Sequence, residues 1–275
     1  ESEDLISILK KEYPDRKSPS YMVAYKEPDR SVRFNTFSKE DGLKMVYMDP
    51  YTGEILKDDG TIYFFYVLVH LHNSFLMGTV GQWIIEIATI IFIIEIITGI
   101  YLWWPKKRNK TALNGAFKIK VDATAKRLNY DLHKVLGFYA AAIILLLSIT
   151  GLLIAFQPLS NSVMKAFDAD TSHQWEKSLP KYNSSEIRLN LNLFIDKAFE
   201  KFPNKDEIQI YTYKVDSSGY YMMRAADQVG LKSAQNPEYL VYNKYSGEEI
   251  SMPDSVLKHE KIENLIWVLH MGNWM

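Results

Sequence analysis

TVGQWIIEIATIIFIIEIITGIYLWW, residues 79–104, is the stretch that decides the fold class of this chain. A second apolar stretch, residues 135–157, reads VLGFYAAAIILLLSITGLLIAFQ. Each stretch is long enough to cross about 30 Å of hydrocarbon as an α-helix. The sequence therefore predicts two complete transmembrane helices, one within residues 61–105 together with a helical entry segment, and one within residues 131–158.

The composition of the chain limits the kinds of site that it can form. The 275 residues carry a net charge of -1 and no cysteine. Near-neutral charge argues against nucleic acid as a partner. The lack of cysteine excludes disulfides, thiolate catalysis, iron–sulfur ligation and covalent c-type haem attachment. No glycine-rich phosphate loop, HExxH zinc pattern, or flavin or nicotinamide fingerprint is present. Histidine is therefore the main candidate ligand.

The connection between the two apolar stretches, residues 106–130, is basic. It carries one acid, Asp122, and eight basic residues, namely Lys106, Lys107, Arg108, Lys110, Lys118, Lys120, Lys126 and Arg127. Short loops rich in Lys and Arg stay in the cytoplasm. We therefore expect residues 106–130 inside, and residues 1–60 and 159–255 outside, where each forms an α+β domain.

These two outer regions look like copies of one unit. In each, an amphipathic helix ends at a proline, and three strand-like runs follow. The first copy comprises Leu5–Tyr13, Pro14, Tyr21–Tyr25, Val32–Phe37 and Lys44–Met48; the second comprises Leu193–Phe202, Pro203, Ile208–Lys214, Gly219–Arg224 and Tyr239–Tyr242. Both copies close on similar turns, Asp49–Ile55 and Asn243–Ile250, and glycine at the matching place predicts positive φ.

Each copy is followed by a Leu-His pair, Leu71-His72 and Leu269-His270. A unit of helix, outer domain and helix is thus repeated, which predicts four membrane spans in the whole protein. Residues 256–275 are then the start of a further span, and the first span is expected upstream of residue 1. The predicted class is an α+β membrane protein with a transmembrane helical bundle.

His133 has two interpretations. Its helix face carries small residues such as Gly137, Ala140 and Gly151, which admit a flat macrocycle with the imidazole as axial ligand. The same face also suits close helix packing, with His133 as a polar interfacial group. His70 lies about 200° around the helix from His72 and is expected to be an interfacial or surface residue. The alternative is that it is itself a ligand or a group that hydrogen-bonds to one.

Two acids lie inside the first span. Glu86 and Glu95 are costly there unless each is paired, hydrated or protonated. Nine residues separate them, so they lie on opposite helix faces. Either acid is a candidate for proton movement or for pairing with a partner subunit. Glu95 is the better candidate because it lies deeper in the span. His173 and His259, in polar outer segments, are interpreted as surface residues.

Several motifs together carry a family resemblance. They are Leu71-His72-Asn73-Ser74-Phe75-Leu76-Met77-Gly78, Thr98-Gly99-Ile100-Tyr101-Leu102-Trp103-Trp104-Pro105, Leu132-His133-Lys134-Val135-Leu136-Gly137, Thr150-Gly151 and Leu269-His270-Met271-Gly272. In this order they resemble the PepSY-associated transmembrane family, the bacterial iron-regulated membrane proteins that include FoxB-like ferric-siderophore reductases.

The resemblance implies a multi-pass protein of the bacterial inner (cytoplasmic) membrane with two PepSY-like domains in the periplasm. It further implies b-type haem held by His72, His133 and His270, and electron transfer to ferric iron or a ferric siderophore. Two histidines lie at the outer edge and His133 at the inner edge, so one haem cannot join all three across about 30 Å. We therefore expect an outer haem between His72 and His270, and an inner haem between His133 and a histidine of the upstream first span.

A second hypothesis from another functional class remains open. The chain is then a non-enzymatic subunit whose outer domains bind periplasmic proteins and whose spans dock onto a larger membrane complex. The intramembrane acids Glu86 and Glu95 suit this hypothesis as well. In both cases the spans contact membrane lipid.

Overall fold

The computed structural model describes residues 2–16, 19–105, 109–212, 217–229 and 234–273. The chain divides into two compact units. The sheet domain comprises Glu1–His72 and Asn161–Leu265, and the membrane unit comprises Asn73–Ser160 and Ile266–Met275.

The described helices are α1 Ser2–Glu12, α2 Thr61–Ser74, α3 Gly78–Trp103, α4 Lys110–Phe117, α5 Ala125–Ala155, α6 Gln157–Ala166, α7 Gln174–Ser178, α8 Leu191–Lys201 and α9 Asp254–Met271. The described strands are β1 Tyr21–Tyr25, β2 Val32–Ser38, β3 Gly42–Met48, β4 Ile55–Asp59, β5 Glu207–Tyr211, β6 Tyr220–Ala226, β7 Gln228–Val229, β8 Ala234–Gln235 and β9 Glu238–Asn243.

The two outer regions build one antiparallel sheet, with strand order β4-β3-β2-β1-β5-β6-β9. They meet where β1 pairs with β5, from Tyr21 opposite Tyr211 to Tyr25 opposite Glu207. The expectation of one sheet in each of two domains is thus corrected. The edge of β1 that does not face β2 carries a row of backbone N–H and C=O groups. Pairing with β5 satisfies these groups.

One core lies under this sheet. The helices α1 and α8 bury residues four apart on one face, Leu5 with Leu9 and Phe194 with Ala198. That spacing brings both members of a pair to the same side of a helix. They pack against alternate strand residues from both copies, including Met22, Phe34, Val46, Ile208, Ile210, Met223 and Leu240. The predicted amphipathic helices and strands are confirmed; Lys214, the predicted end of one strand, lies outside the described residues.

The repeat is visible at atomic level in the two closing turns. In the first, the Gly53 N–H donates to the Asp49 carbonyl at 3.0 Å, and Gly53 has a φ of 73°. In the second, the Gly247 N–H donates to the Asn243 carbonyl at 3.0 Å, and Gly247 has a φ of 74°. The prediction of positive φ at these glycines is confirmed.

The membrane unit contains two helices that are long and apolar enough to span a membrane, α3 and α5. Only 6% of the apolar window of α3 and 17% of that of α5 are buried, which is unlike the core helices of a soluble protein. The helix α3 ends at Trp103, two residues before Pro105, as predicted for a helix stopped by proline. Trp103 stacks on Phe138 of α5 with ring centroids 3.7 Å apart.

The start of α5 differs from expectation. The helix begins at Ala125 rather than near residue 131, so His133 lies about two turns inside it. Its first turns are stabilised by Asp131, which is 1% exposed and accepts from the Arg127 Nε at 3.1 Å. The predicted loop 106–130 therefore contains α4 and the first turns of α5. Lys106, Lys107 and Arg108 lie outside the described residues.

Candidate functional site

His270 of the membrane unit has a fixed ring orientation. Its Nδ1 lies 3.1 Å from the Thr150 Oγ1 on α5. The Thr150 hydroxyl also lies 2.8 Å from the Leu146 carbonyl, which can only accept, so its one proton is directed there. Nδ1–H of His270 therefore donates to the hydroxyl oxygen. This tautomer places the lone pair of the imidazole on Nε2, the form in which histidine binds a metal.

Gly151 gives the His270 ring its space. A Cβ at Gly151 would lie 2.9 Å from the His270 Cε1, which is closer than side-chain carbons approach one another. The adjacent residues Thr150 and Gly151 thus act together, one by orienting the imidazole and the other by admitting it. The Thr-Gly pair singled out in the sequence is brought to His270, a contact that the sequence did not predict.

His133 lies on an exposed part of α5. It is about 140° around the helix from Phe138, which stacks on Trp103 of α3. A methyl group added to Gly137, one turn further along, would meet no other atom within 4 Å. The His133 face of α5 therefore points away from α3, and it has room for a flat group beside the imidazole.

His72 and His70 lie on α2, which the structure separates from the span α3. Phe75, Leu76 and Gly78 have φ values of 49°, 59° and 58°. These left-handed residues separate the end of α2 from the start of α3. His72 is exposed and belongs to the sheet domain. The helix α2 is the helical entry segment predicted before the span, and it carries His72.

His70 is held by its own helix. Its Nδ1 lies 2.9 Å from the Tyr66 carbonyl, so Nδ1–H donates there, and its ring lies 4.0 Å from the Tyr66 ring. This arrangement agrees with an interfacial histidine. The pairing of His72 with His270 in an outer haem site stays a prediction.

The two intramembrane acids occupy different environments. Glu86 is 4% exposed, and its Oε1 accepts from the Gln82 Nε2 at 2.8 Å. The same Gln82 nitrogen donates to the Ala155 carbonyl at 3.2 Å, so this pair connects α3 with the end of α5. Glu95 is exposed on α3. The structure thus gives Glu86 a packing role between the two spans and leaves Glu95 on an outward face.

The membrane-unit residues fit an axially ligated haem. His270 presents the required tautomer, and the hydrogen bond to Thr150 is the kind of contact that orients metal-ligating histidines. His133 presents an exposed imidazole beside Gly137.

His259 departs from its interpretation as a surface residue, whereas His173, whose side chain is 62% exposed, agrees with it. Both belong to the sheet domain, and their rings lie 5.6 Å apart beside a cavity that four carboxylate side chains also line. His259 is only 19% exposed, so it is not a surface residue. The signal was the spacing of each histidine to a glutamate, three residues on to Glu176 and four residues on to Glu263, which places each pair on one side of a helical turn.

Comparison with known proteins agrees with the motifs. No curated protein and no solved structure gives a significant match to the chain. The family model described as the PepSY-associated TM region matches residues 4–275. This match covers both the sheet domain and the membrane unit. The chain therefore belongs to the PepSY-associated transmembrane family, a family of membrane proteins.

Proposed function

We propose that this chain is a haem-dependent electron-transfer protein of the bacterial inner membrane that reduces ferric iron or a ferric siderophore at the periplasmic face. The observation that carries the proposal is the hydrogen bond from His270 to Thr150, with Gly151 beneath the ring. A histidine held in its ligating tautomer at the end of α9, beside the span α5, suits axial ligation better than packing alone. Family membership supports the proposal at the coarser level of a membrane protein.

His72, His133 and His270 are the proposed axial ligands. Bound b-type haem would supply one-electron Fe(III)/Fe(II) chemistry. The chain's own part is to fix the ligand orientation through Thr150 and to exclude water with apolar side chains. Two haems, one near each membrane edge, are part of this proposal. The reduction helps iron release because siderophores bind ferrous iron far less tightly than ferric iron.

The proposal is tested on purified full-length protein expressed with ample haem. Dithionite reduction is expected to give a sharp α-band, and His270→Ala is expected to lower the haem content. Addition of a ferric siderophore to the reduced protein is expected to reoxidise it. Well-folded protein that stays haem-free, or reduced protein that a ferric siderophore does not oxidise, would contradict the proposal.

A docking subunit is the second candidate, and Glu95 favours it. This ionisable side chain is exposed on a span whose apolar window is 6% buried. Carboxylates inside a membrane face other helices or water rather than lipid tails. A further helix against this face, from the same protein or from a partner subunit, would satisfy Glu95. Stoichiometric co-purification of a partner without Soret absorbance would favour this candidate over the first.

A further inference from the structure

The cavity beside His173 and His259 is chemically unlike the haem-ligand region. It has a volume of about 200 Å³ and lies in the sheet domain. Its lining combines two imidazoles, four carboxylates and three apolar side chains, namely His173, His259, Asp170, Glu176, Glu260, Glu263, Trp175, Met222 and Val256. The volume exceeds that of one water, which is about 30 Å³ in the liquid, so an ion with water ligands fits.

Asp170 connects the two histidines. Its carboxylate accepts from the backbone N–H of Ser172 at 2.9 Å and of His173 at 3.2 Å. Its backbone carbonyl lies 2.6 Å from the His259 Nδ1, so Nδ1–H donates to it. One residue therefore holds both imidazole-bearing segments. The same bond places the lone pair of His259 on Nε2, and histidine ligands of metals usually have such a carbonyl behind them.

Each histidine is paired with a glutamate at nearly the separation of two metal ligands. His173 Nδ1 lies 3.6 Å from Glu176 Oε1, and His259 Nε2 lies 3.9 Å from Glu263 Oε2. Two donors on one tetrahedral ion, with bonds of about 2.0–2.2 Å, are roughly 3.3–3.5 Å apart. Both pairs are thus slightly wider than a ligand pair.

The distance between the two rings also fits a shared ion. Two imidazoles on one tetrahedral ion have ring centroids about 5 Å apart. The observed separation of His173 and His259 is 5.6 Å, with the ring planes at 73°. Among the described residues, no group of three or more His, Asp or Glu side chains is placed to hold a metal ion in its present conformation. Binding therefore requires side-chain rotation, and the exposed side chains of His173, Glu176 and Glu263 can rotate.

We propose that this cavity binds one divalent transition-metal ion, such as Zn²⁺, Co²⁺ or Fe²⁺, through His173, His259 and the carboxylates of Glu176 and Glu263. Imidazole nitrogen favours these ions over Mg²⁺ and Ca²⁺, which prefer oxygen ligands alone. Charge agrees with a cation, because four carboxylates line the cavity.

The test is a Co²⁺ titration of the purified full chain, followed by visible absorbance. Wild-type protein is expected to bind one Co²⁺ at a site that Zn²⁺ displaces and that Mg²⁺ in large excess does not. His173→Ala with His259→Asn is expected to weaken this binding by on the order of 10-fold or more. Asparagine at 259 keeps a donor for the Asp170 carbonyl, which protects the fold.

Glu263→Gln and Glu200→Gln form a matched pair. Each removes one exposed carboxylate from a helix of the sheet domain, but only Glu263 lines the cavity. We expect weaker Co²⁺ binding in E263Q and wild-type binding in E200Q. Equal affinities in this pair, unchanged binding after loss of both histidines, or displacement by Mg²⁺ would each overturn the proposal. Haem absorbance is read separately, so the outcome is independent of the proposed electron transfer.

Discussion

His270 donates its Nδ1 proton to the hydroxyl oxygen of Thr150, 3.1 Å away, although 120 residues separate them in the chain. The Thr150 proton is already committed to the Leu146 carbonyl of its own helix. The threonine therefore has only an acceptor to offer, and this fixes which nitrogen of His270 carries the lone pair. A side chain that packs within the membrane unit thus determines the chemistry of a residue near the end of the chain.

Loss of the Thr150 hydroxyl should weaken haem binding. Thr150→Ala leaves the His270 ring without its acceptor, and loss of such a contact costs about 10–100-fold in metal affinity. The measurement is the haem content and the redox midpoint of the purified variant. Thr98→Ala is the control, because the hydroxyl of Thr98 bonds to the Ile94 and Glu95 carbonyls of its own helix. Equal haem loss in both variants would contradict the assignment.

Gly151→Ala should displace His270. The new methyl group would lie 2.9 Å from the His270 Cε1, so the imidazole must move by several tenths of an ångström. We expect a shifted or broadened α-band, with haem content reduced on the order of 10-fold. Gly99→Ala adds the same group to the other span where nothing lies within 4 Å, and it should leave the spectrum unchanged. A normal spectrum in G151A would exclude His270 as a ligand.

The two repeat turns should respond alike to glycine replacement. Gly53→Ala and Gly247→Ala each place a Cβ at positive φ, which costs about 1–2 kcal/mol. Each Cβ also approaches a core side chain, Ile8 or Leu189. Both variants should lower the midpoint of thermal unfolding followed by circular dichroism. Gly60→Ala meets only ordinary contacts and should not lower it; a loss of stability there equal to that in the turns would contradict this explanation.

Asp170 should make stability depend on pH. Hydrogen bonds from Ser172, first from its backbone N–H, hold the pKa of Asp170 below its ordinary value of 3.8. The folded state therefore favours the ionised carboxyl, and this stabilisation is complete above the unfolded pKa and lost as the pH falls through the folded pKa. Asp170→Asn should lower the unfolding midpoint by on the order of 2 °C at pH 7. The difference from wild type should vanish near pH 2; a difference of equal size at both pH values would exclude this cause.

The sequence predicted local structure correctly where residues adjacent in the chain determine it. Tyr21–Tyr25 was predicted as a strand and is β1 to the residue, because β-branched and aromatic residues alternate between turn signals. Gly53 and Gly247 were predictable because only glycine adopts positive φ without strain. The start of α5 was not predictable from hydropathy, because it is a polar turn. Contacts of Asp131 with Arg127 and Lys134 stabilise that turn.

Contacts between residues far apart in the chain could not be predicted from the sequence. A duplicated pattern predicts two copies of a unit but does not say whether each copy closes its own sheet. Hydrogen bonds between β1 and β5 join the copies, and no local residue preference encodes that choice. The same holds for His173 and His259, which are 86 residues apart in the chain and become neighbours where His259 bonds to the Asp170 carbonyl. The Thr150 contact of His270 likewise required the folded structure.

The joint between β1 and β5 sets an order for biosynthesis. The strand β1 cannot pair with β5 until the ribosome has made β5, because Tyr21 pairs with Tyr211. Both apolar helices, α3 and α5, are made in between. At about 5–20 residues per second, β1 stays without its neighbour for roughly 10–40 s. During that interval its open edge, lined by Tyr21, Val23 and Tyr25, is a target for wrong strand pairing. A nascent chain of this protein therefore exposes this edge of β1 until the ribosome has made β5.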